Sequence, residues 1–458
     1  MSAQFEDGLS LFGVRRMMEG VVPPTLCTFS VDHMPNVSYL SVVEYIDPLH
    51  IALSYQFFNR SRENVLATRR AALTLDDPYT GAGVVLQIEY LRTETEGPVF
   101  EKLRAKLLSV ASHVGMDDVF YLRGADVYRV HELRRVPGRK ELPAAAPRVD
   151  IQAKSRVLSE RMANCAELAE LLECFLDGLG ELLRIDNSML WLFDSAHSVL
   201  TLLASRGYET GGAGAESSAG EGIIGTAVRE GVPIRVGHMM NMARYARAAA
   251  DRADSQGFRP APRTGIPLPG LKEPRSQLAV PLRARGRVLG ALLVESKHDQ
   301  HFGYDDEDAL ALLCGQFAVA MSLMQPQEYE PPAREAPSPA PVDSVAPLKL
   351  RRYSRDNSVF LDDEYLIRGV AGAILWKLLA EFKRSGRREF SNRELRLAPE
   401  LRLPEVQDNL EVRLILLQKR LTEQRAAIQL EKAGRGRMRL NVSRPFEMEM
   451  ADRDAVPR

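Results

Sequence analysis

The centre of the chain reads GEGIIGTAVREGVPIRV at residues 220–236 and SQLAVPLRARGRVLGALLVESKHDQHFGYDDEDALALLCGQFAVAM at residues 276–321, and these two stretches decide its fold. In the second stretch, two apolar, β-rich runs flank a basic turn centred on Gly286, which is the pattern of a β-hairpin. Asp305, Asp306 and Glu307 then precede a long apolar run. Because carboxylates stabilise the amino-terminal end of a helix, this pattern predicts a long helix after the hairpin.

These residues resemble a GAF domain, a fold that usually binds a small molecule and reports it to another part of the protein. The resemblance implies a GAF α/β sandwich over residues 154–324, with a ligand pocket between its sheet and an insertion at residues 241–275. The insertion is either a lid over that pocket or a loop without such a role. The sequence does not identify the ligand.

The composition describes a chain with enough apolar residues for several cores. Its 458 residues are 45% hydrophobic, and a chain of this length typically holds about three domains. The 60 Lys and Arg are balanced by 61 Asp and Glu, so the overall charge favours neither nucleic acid nor a membrane surface as a partner. Four separated cysteines without a CxxC pair fit a reducing cytosol and no metal site. No signal peptide or membrane-spanning run is evident, so we expect a cytoplasmic protein that does not enter the membrane.

A possible phosphate pocket occurs in the first part of the chain, where a strand ends near Ser54 and a helix opens near Arg60. Helix-start N–H groups, hydroxyls and guanidinium groups together suit a phosphate. This arrangement resembles the pyridoxamine-phosphate-oxidase-like split β-barrel, a flavin-binding fold, over residues 20–136. The resemblance implies that Ser54 and Ser61 bind the FMN phosphate, that Arg60 and Arg62 neutralise it, and that Asn64 braces the loop.

Other interpretations of this pocket stay open. Glu89 and Tyr90 stand where many members of that family have a glycine beside the flavin. Arg60 and Arg62 are equally consistent with solvated charges at a helix start. Some relatives hold haem or a deazaflavin instead, and His113 and His131 are each either a possible axial ligand or an ordinary surface or core histidine. No constellation for general acid–base catalysis stands out.

Two helices are expected to flank the GAF sheet, over residues 161–183 and 306–324. In both ranges, apolar residues recur at helical spacing and would form a stripe along one side of the helix. Such helices often pair between subunits in this class of fold. Packing of these helices against the core of one subunit would produce the same apolar stripe. A homodimer is therefore one of two interpretations of the pattern.

The last part of the chain is locally basic, with 21 Lys and Arg against 13 Asp and Glu between residues 349 and 439. A basic module on a near-neutral chain is typical of binding to a phosphate backbone. A short helix capped by Ser391, a longer helix and a hairpin resemble the response-regulator-type winged helix. The resemblance implies that the longer helix reads the major groove and the hairpin contacts phosphates, the predicted DNA-binding residues being Asn409, Arg413, Arg435, Arg437 and Arg439. The alternative is a basic surface that contacts protein.

Segments rich in Pro and Ala separate these parts, and such segments form extended linkers. We expect an α+β multidomain protein, with a split β-barrel at 1–136, a linker at 137–153, a GAF domain at 154–324, a linker at 325–347, a winged helix at 348–445 and a tail at 446–458. The expected function is a ligand- or redox-responsive transcriptional regulator. The alternatives are an FMN-dependent oxidoreductase with a regulatory GAF domain, and a signalling scaffold.

Overall fold

The chain is described here from a computed structural model, in which mixed α and β elements form three successive modules. No helix among the described residues is long and apolar enough to cross a membrane. The described residues are 4–19, 22–40, 42–56, 60–77, 80–114, 122–137, 149–195, 197–220, 222–237, 266–324, 347–354, 356–398, 401, 410–424, 426–434 and 436–451.

The N-terminal module, residues 4–136, is built on one eight-stranded sheet. Its elements are β1 (Gln4–Phe5), α1 (Leu11–Val14), a 3-10 turn (Arg15–Met18), β2 (Thr25–Phe29), β3 (Pro35–Tyr39), β4 (Val43–Asp47), β5 (His50–Tyr55), α2 (Arg60–Thr68), β6 (Arg70–Asp76), β7 (Gly83–Glu94), α3 (Pro98–Val114) and β8 (Gly124–Arg135). The strands are ordered β3-β2-β6-β7-β8-β5-β4, and β1 pairs in parallel with β8.

Alternating side chains give this sheet two apolar faces. In β6, Leu73 and Leu75 are buried while their neighbours are half-buried, as expected for a strand with one face in a core. Leu103 and Leu107 of α3 pack in a second cluster against Val127 of β8. The module therefore has a core on both sides of β8, and α2 begins where β5 ends.

The central module is a six-stranded sheet with helices packed on both faces. Its elements are α4 (Ile151–Ala163), α5 (Leu168–Leu183), β9 (Asn187–Asp194), β10 (Val199–Arg206), β11 (Glu216–Ser218), α6 (Gly222–Glu230), β12 (Ile234–Val236), β13 (Ser276–Ala284), β14 (Arg287–Ser296) and α7 (Tyr304–Leu323). The strand order is β11-β10-β9-β14-β13-β12.

The predicted hairpin and the helix after it are confirmed. β13 and β14 pair antiparallel, and their turn places Arg285 and Gly286 at φ of 50° and 75°, the left-handed region that two-residue hairpin turns require. The N–H of Gly303 donates to Asp306 Oδ2 at 2.9 Å at the start of α7. Both features depend on hydrogen bonds between residues that are close in sequence.

The prediction of one continuous helix over residues 161–183 is wrong, because the structure has two helices there. The structure ends α4 at Ala163 and begins α5 at Leu168, with Cys165 in the turn between them. The carboxylate of Glu170 accepts a hydrogen bond from the Ala166 N–H at 2.9 Å, so a side chain in the first turn of α5 holds the backbone of the turn that precedes it. Helix α4 also starts at Ile151, inside the segment expected to be linker.

The C-terminal module contains two small sheets around three helices. Its elements are β15 (Leu348–Tyr353), β16 (Val359–Leu361), β17 (Glu364–Ile367), α8 (Gly369–Ser385), β18 (Glu389–Ser391), α9 (Asn392–Leu397), α10 (Leu410–Glu423), β19 (Ile428–Lys432), β20 (Arg437–Val442) and β21 (Phe446–Ala451). The sheet orders are β17-β16-β15-β21 and β18-β20-β19. Residues 446–451, expected to belong to a tail, form a strand because β21 pairs with β15 over six residues.

Candidate functional site

A cavity of about 120 Å³ lies in the N-terminal module beside the start of α2. Three of the residues predicted to bind a phosphate line it, namely Ser54, Ser61 and Arg62. Arg60 is exposed at the first position of α2 and does not line the cavity. The strand β5 and the helix α2 thus bring together part of the predicted set.

The charge of Arg62 is already neutralised within the cavity. Its Nη1 donates to Asp126 Oδ2 at 2.5 Å, and its guanidinium lies 3.5 Å from the ring centroid of Tyr55. Asp126 is buried and also accepts from the Thr93 hydroxyl at 2.5 Å. Because a bound phosphate would lie beside the Asp126 carboxylate, like-charge repulsion opposes it. These residues therefore do not fit an FMN phosphate in the way the resemblance implies.

Ser61 and Asn64 belong to a hydrogen-bond network that joins α2 to the edge of the sheet. The hydroxyl of Ser61 accepts from Asn36 Nδ2 at 2.8 Å and lies 2.8 Å from the Ser38 hydroxyl. Asn64 Nδ2 donates to the Thr28 hydroxyl at 3.2 Å. The network supplies hydroxyl and amide groups, which suit an uncharged polar ligand as well as an anion.

Glu89 and Tyr90 also have partners in this module. Glu89 Oε2 lies 2.7 Å from His131 Nε2, and that hydrogen bond lowers the pKa of the Glu89 carboxyl. The Tyr90 hydroxyl lies 2.8 Å from that of Thr93, which extends the Arg62 network. Sequence reasoning missed Asp126, although a lone carboxylate in the apolar run ADVYRV was the signal for it.

A second polar cluster joins the N-terminal module to the central one, and we call it the interdomain cluster. Arg235 of β12 is only 8% exposed. Its Nε donates to Glu307 Oε2 at 3.1 Å, its Nη1 donates to the Phe302 carbonyl at 3.2 Å, and it forms an ion pair with Glu19. The cluster consists of Arg15, Glu19, Glu44, Lys102, Lys106, Arg235, Tyr304 and Glu307.

Tyr304 lies at the centre of the interdomain cluster. Lys106 Nζ donates to its hydroxyl at 2.6 Å and lies 2.5 Å from Glu44 Oε2. Burial raises the pKa of Tyr304 above its usual range, so the phenol stays neutral. Burial opposes ionisation of Glu307, but the charges of Lys102 and Arg235 outweigh it and hold the pKa of that carboxyl below its ordinary value. Both modules therefore contribute charged groups to one buried network.

The C-terminal module packs on the central module through α10. Apolar residues of both modules share one continuous cluster, and α10 contacts both β10 and α5. The Glu423 carboxylate at the end of α10 accepts from the Ala213 N–H, at 3.0 Å to Oε2 and 3.3 Å to Oε1. Lys432 pairs with Glu167, and Arg368 pairs with Glu216. The contact is thus apolar at its centre and charged around it.

Three of the five residues predicted to bind DNA lie on α10 and β20. Arg413 is half-buried on α10 and Arg437 is half-buried on β20. Arg439 Nε donates to Glu389 Oε1 of the neighbouring strand at 3.1 Å. Asn409 and Arg435 lie outside the described residues.

No metal centre occurs in the part of the chain that the structure describes, since no three His, Cys, Asp or Glu side chains converge there. Cys165 and Cys174, nine residues apart in sequence, lie close enough for their thiols to interact. Burial and the neighbouring Cys174 raise the pKa of Cys165 to about 12. A thiol with such a pKa is poorly reactive at neutral pH.

Comparison with known proteins identifies the central module as a GAF domain. Residues 165–322 match the family model of that description, which confirms the resemblance for this part of the chain and suggests a sensory or regulatory role. A search of curated proteins finds no match.

Several solved structures resemble parts of the chain. The GAF domain from an Acinetobacter phosphoenolpyruvate-protein phosphotransferase is 21% identical with a TM-score of 0.28, over 37% of this chain and 92% of that one. An FMN-binding protein from Syntrophomonas wolfei is 18% identical with a TM-score of 0.24, over 28% and 88%. The free methionine-R-sulfoxide reductase from Neisseria meningitidis, solved with its substrate, is 20% identical with a TM-score of 0.29, over 38% and 91%.

Proposed function

We propose that this protein is a ligand-responsive transcriptional regulator of the cytoplasm. In this proposal a split β-barrel at residues 1–136 and the GAF domain sense small molecules, and a winged helix at residues 348–445 binds DNA. The observation that carries the proposal is the contact of α10 with the GAF domain, because it joins a sensory module to a basic one. A ligand that favours another arrangement of this contact shifts the population of the DNA-binding state.

The order of elements supports a winged helix in the C-terminal module. Helix α8, strand β18, short helix α9 and helix α10 are followed by the β19–β20 hairpin, which pairs with β18. In winged helices the helix in the place of α10 enters the major groove and the hairpin contacts the backbone. Arg413 and Asn409 would then reach base edges, while Arg435, Arg437 and Arg439 would contact phosphates.

The test is DNA binding by the full-length protein, measured by fluorescence anisotropy with mixed-sequence duplexes over a range of salt concentrations. We expect Arg437→Ala to weaken binding to all sequences and to reduce the salt slope by about 1. Arg413→Ala should change the preferred sequence instead. Arg156→Ala, an exposed site on α4, is the matched control. The proposal would be refuted if salt-dependent binding at low salt were absent both in the full-length protein and in a variant in which α10 is released from the GAF domain.

We also propose that the cavity beside α2 binds a ligand. FMN is the first candidate because Ser54, Ser61 and Arg62 all line the cavity. Haem and a deazaflavin are the other candidate cofactors. The ion pair of Arg62 with Asp126 favours a smaller uncharged ligand over the FMN phosphate. The visible spectrum of the purified protein separates these outcomes, since flavin, deazaflavin and haem absorb differently and an uncoloured ligand does not absorb.

We further propose a homodimer formed through α7. Leu312, Val319 and Leu323 are 70%, 45% and 63% exposed, and their spacing of seven and four residues aligns them on one side of the helix. Leu310, Leu313 and Phe317 of the same helix are buried in the core of the GAF domain. Light scattering should report a dimer that Leu312→Lys dissociates and Leu66→Lys on α2 does not. A monomeric parent protein would refute the dimer.

A further inference from the structure

The helix α10 has little free surface in this structure. Four successive residues, Leu414 to Leu417, are all buried. Successive residues on a helix point about 100° apart, so four in a row cover the whole circumference. The module's own α8 and β19 contact α10 together with β10 and α5 of the GAF domain. A helix covered on opposite sides cannot enter a DNA groove.

Arg413 of α10 also lies near a charged group of the GAF domain. Arg413 lies close enough to Asp194, at the end of β9, to act on its pKa. Burial opposes ionisation of the Asp194 carboxyl, but hydrogen bonds from His197 and the charge of Arg413 hold its pKa below the ordinary value. A carboxylate of the GAF domain therefore lies near a side chain that the proposed function assigns to DNA.

Glu423 fixes the end of α10 to the loop of residues 207–215, which follows β10. Besides accepting from the Ala213 N–H, its carboxylate lies against Gly211 so closely that a Cβ there would be 2.0 Å from Glu423 Oε1. Arg420, one turn earlier, donates to the Leu366 carbonyl of its own module at 2.9 Å. The two side chains therefore connect α10 to different modules.

The other side of the same loop contacts the last part of the insertion. A Cβ at Gly212 would lie 2.4 Å from Pro269, and one at Gly214 would lie 2.9 Å from Ile266. Ile266 is buried in the apolar layer on the sheet face opposite α5 and α7, with Trp191 and Met189. The loop is therefore packed between this layer and α10.

Glu295 ties the loop to the insertion. Its Oε2 accepts from the Tyr208 hydroxyl at 3.0 Å and from the Leu271 N–H at 3.0 Å, and its Oε1 accepts from Gln277 at 2.5 Å. A displacement of residues 266–271 is thus passed to residue 208 and to the loop that holds Glu423. Each link is a direct contact between buried or half-buried groups.

We propose that the contact of Glu423 with residues 211–213 is an autoinhibitory contact, which holds α10 on the GAF domain and is broken by displacement of residues 266–271. The role of α10 in DNA binding rests on the proposed function, whereas its attachment and release do not. Occupancy of the apolar layer by a small molecule moves Ile266, and through the loop it moves Ala213 away from Glu423. Release of α10 then exposes both Arg413 and the helix face that the GAF domain covers.

The test is hydrogen–deuterium exchange of the full-length protein, with peptides covering α10 and α8. Glu423→Gln removes the charge and keeps the size, whereas Gly211→Ala places a methyl group against Glu423 without changing the C-terminal module. Replacing the charged acceptor of a hydrogen bond by a neutral amide, or displacing it with a methyl group, weakens the contact and changes such an equilibrium by up to roughly tenfold. We therefore expect about tenfold faster exchange in residues 410–423 for both variants, and a smaller increase for Glu295→Gln. Glu381→Gln, which pairs with Arg384 within α8 at 2.6 Å, is the matched control.

Unchanged exchange of α10 in both Glu423→Gln and Gly211→Ala would overturn the inference. It would also be overturned if α8 exchanged faster together with α10, because the contact would then maintain the fold of the module rather than its attachment. If α10 is released and DNA affinity rises about tenfold, both the inference and the proposed function are supported. If α10 is released and the protein still binds no DNA, the attachment of α10 through Glu423 and its release are supported and the proposed function fails.

Discussion

The substitution Arg235→Met tests whether the interdomain cluster holds the N-terminal module on the GAF domain. Methionine fills much of the volume of arginine, so little of its effect comes from an empty cavity. The substitution leaves Glu19 without its ion pair to Arg235, and leaves Glu307 with Lys102 at 3.3 Å. Both carboxylates are at least four-fifths buried, with 16% and 11% of their side chains exposed.

The expected cost follows from this burial. Removing one partner of a buried ion pair typically destabilises a protein by about 3–5 kcal/mol, because the remaining charge is left uncompensated. Lys102 still neutralises part of the charge on Glu307, so we expect the lower end, about 3 kcal/mol. The control is Arg161→Met, which removes an exposed pair with Glu181 at 3.1 Å. Exposed pairs contribute about 0–1 kcal/mol.

The free energy of unfolding is measured by urea denaturation of the full-length protein. Differential scanning calorimetry is the second measurement, because a multidomain chain need not unfold in one step. Tryptophan fluorescence reports on Trp191 in the GAF domain and Trp376 in the C-terminal module. A double-mutant cycle with Glu307→Gln isolates the energy of the pair. If Arg235→Met and Arg161→Met destabilise equally, within about 1 kcal/mol of the wild type, the interface is not closed in solution and the reasoning fails.

Three further predictions concern acid, the cavity and the thiols. The lowered pKa of Glu307 means that its ionised form stabilises the native state. That contribution is complete above the ordinary carboxyl pKa of about 4.3 and is lost as the pH falls through the lowered value. Glu307→Gln should therefore make the free energy of unfolding depend less on pH in acid. Asp126→Asn frees Arg62 from its ion pair, and calorimetric titration with inorganic phosphate should show tighter binding than in the parent, whereas equal affinities would argue against a phosphate site. Because the pKa of Cys165 is about 12, a maleimide at pH 8 should modify half-buried Cys27 before Cys165. Peptide mass spectrometry measures the order of labelling, and faster labelling of Cys165 would contradict its burial.

The features predicted from the sequence depend on neighbours in the chain. The β13–β14 turn at Arg285 and Gly286 and the acidic start of α7 are fixed by backbone conformation and hydrogen bonds within a few residues. The cap of α9 is similar, since the Ser391 hydroxyl accepts from the Glu394 N–H at 3.2 Å. The carboxylate of Glu394 accepts a hydrogen bond from Arg387. Arg387 is also close in sequence, but which donor the Glu394 carboxylate binds is not visible in the pattern.

The features that the sequence did not predict join residues far apart in the chain. Asp126 pairs with Arg62 across 64 positions, and Lys106 reaches Tyr304 across 198. Strand β21 becomes part of a sheet only because β15 lies beside it.

By itself, the sequence determined the GAF domain and the local elements around it, because helical and strand periodicity and turn chemistry act over a few residues. Only the tertiary structure decided which charges meet in the interdomain cluster, and that Glu423 is held by the backbone of Ala213. The physical reason is that such contacts depend on the packing of whole modules. Packing places groups more than two hundred residues apart within hydrogen-bond distance, and no local pattern records it.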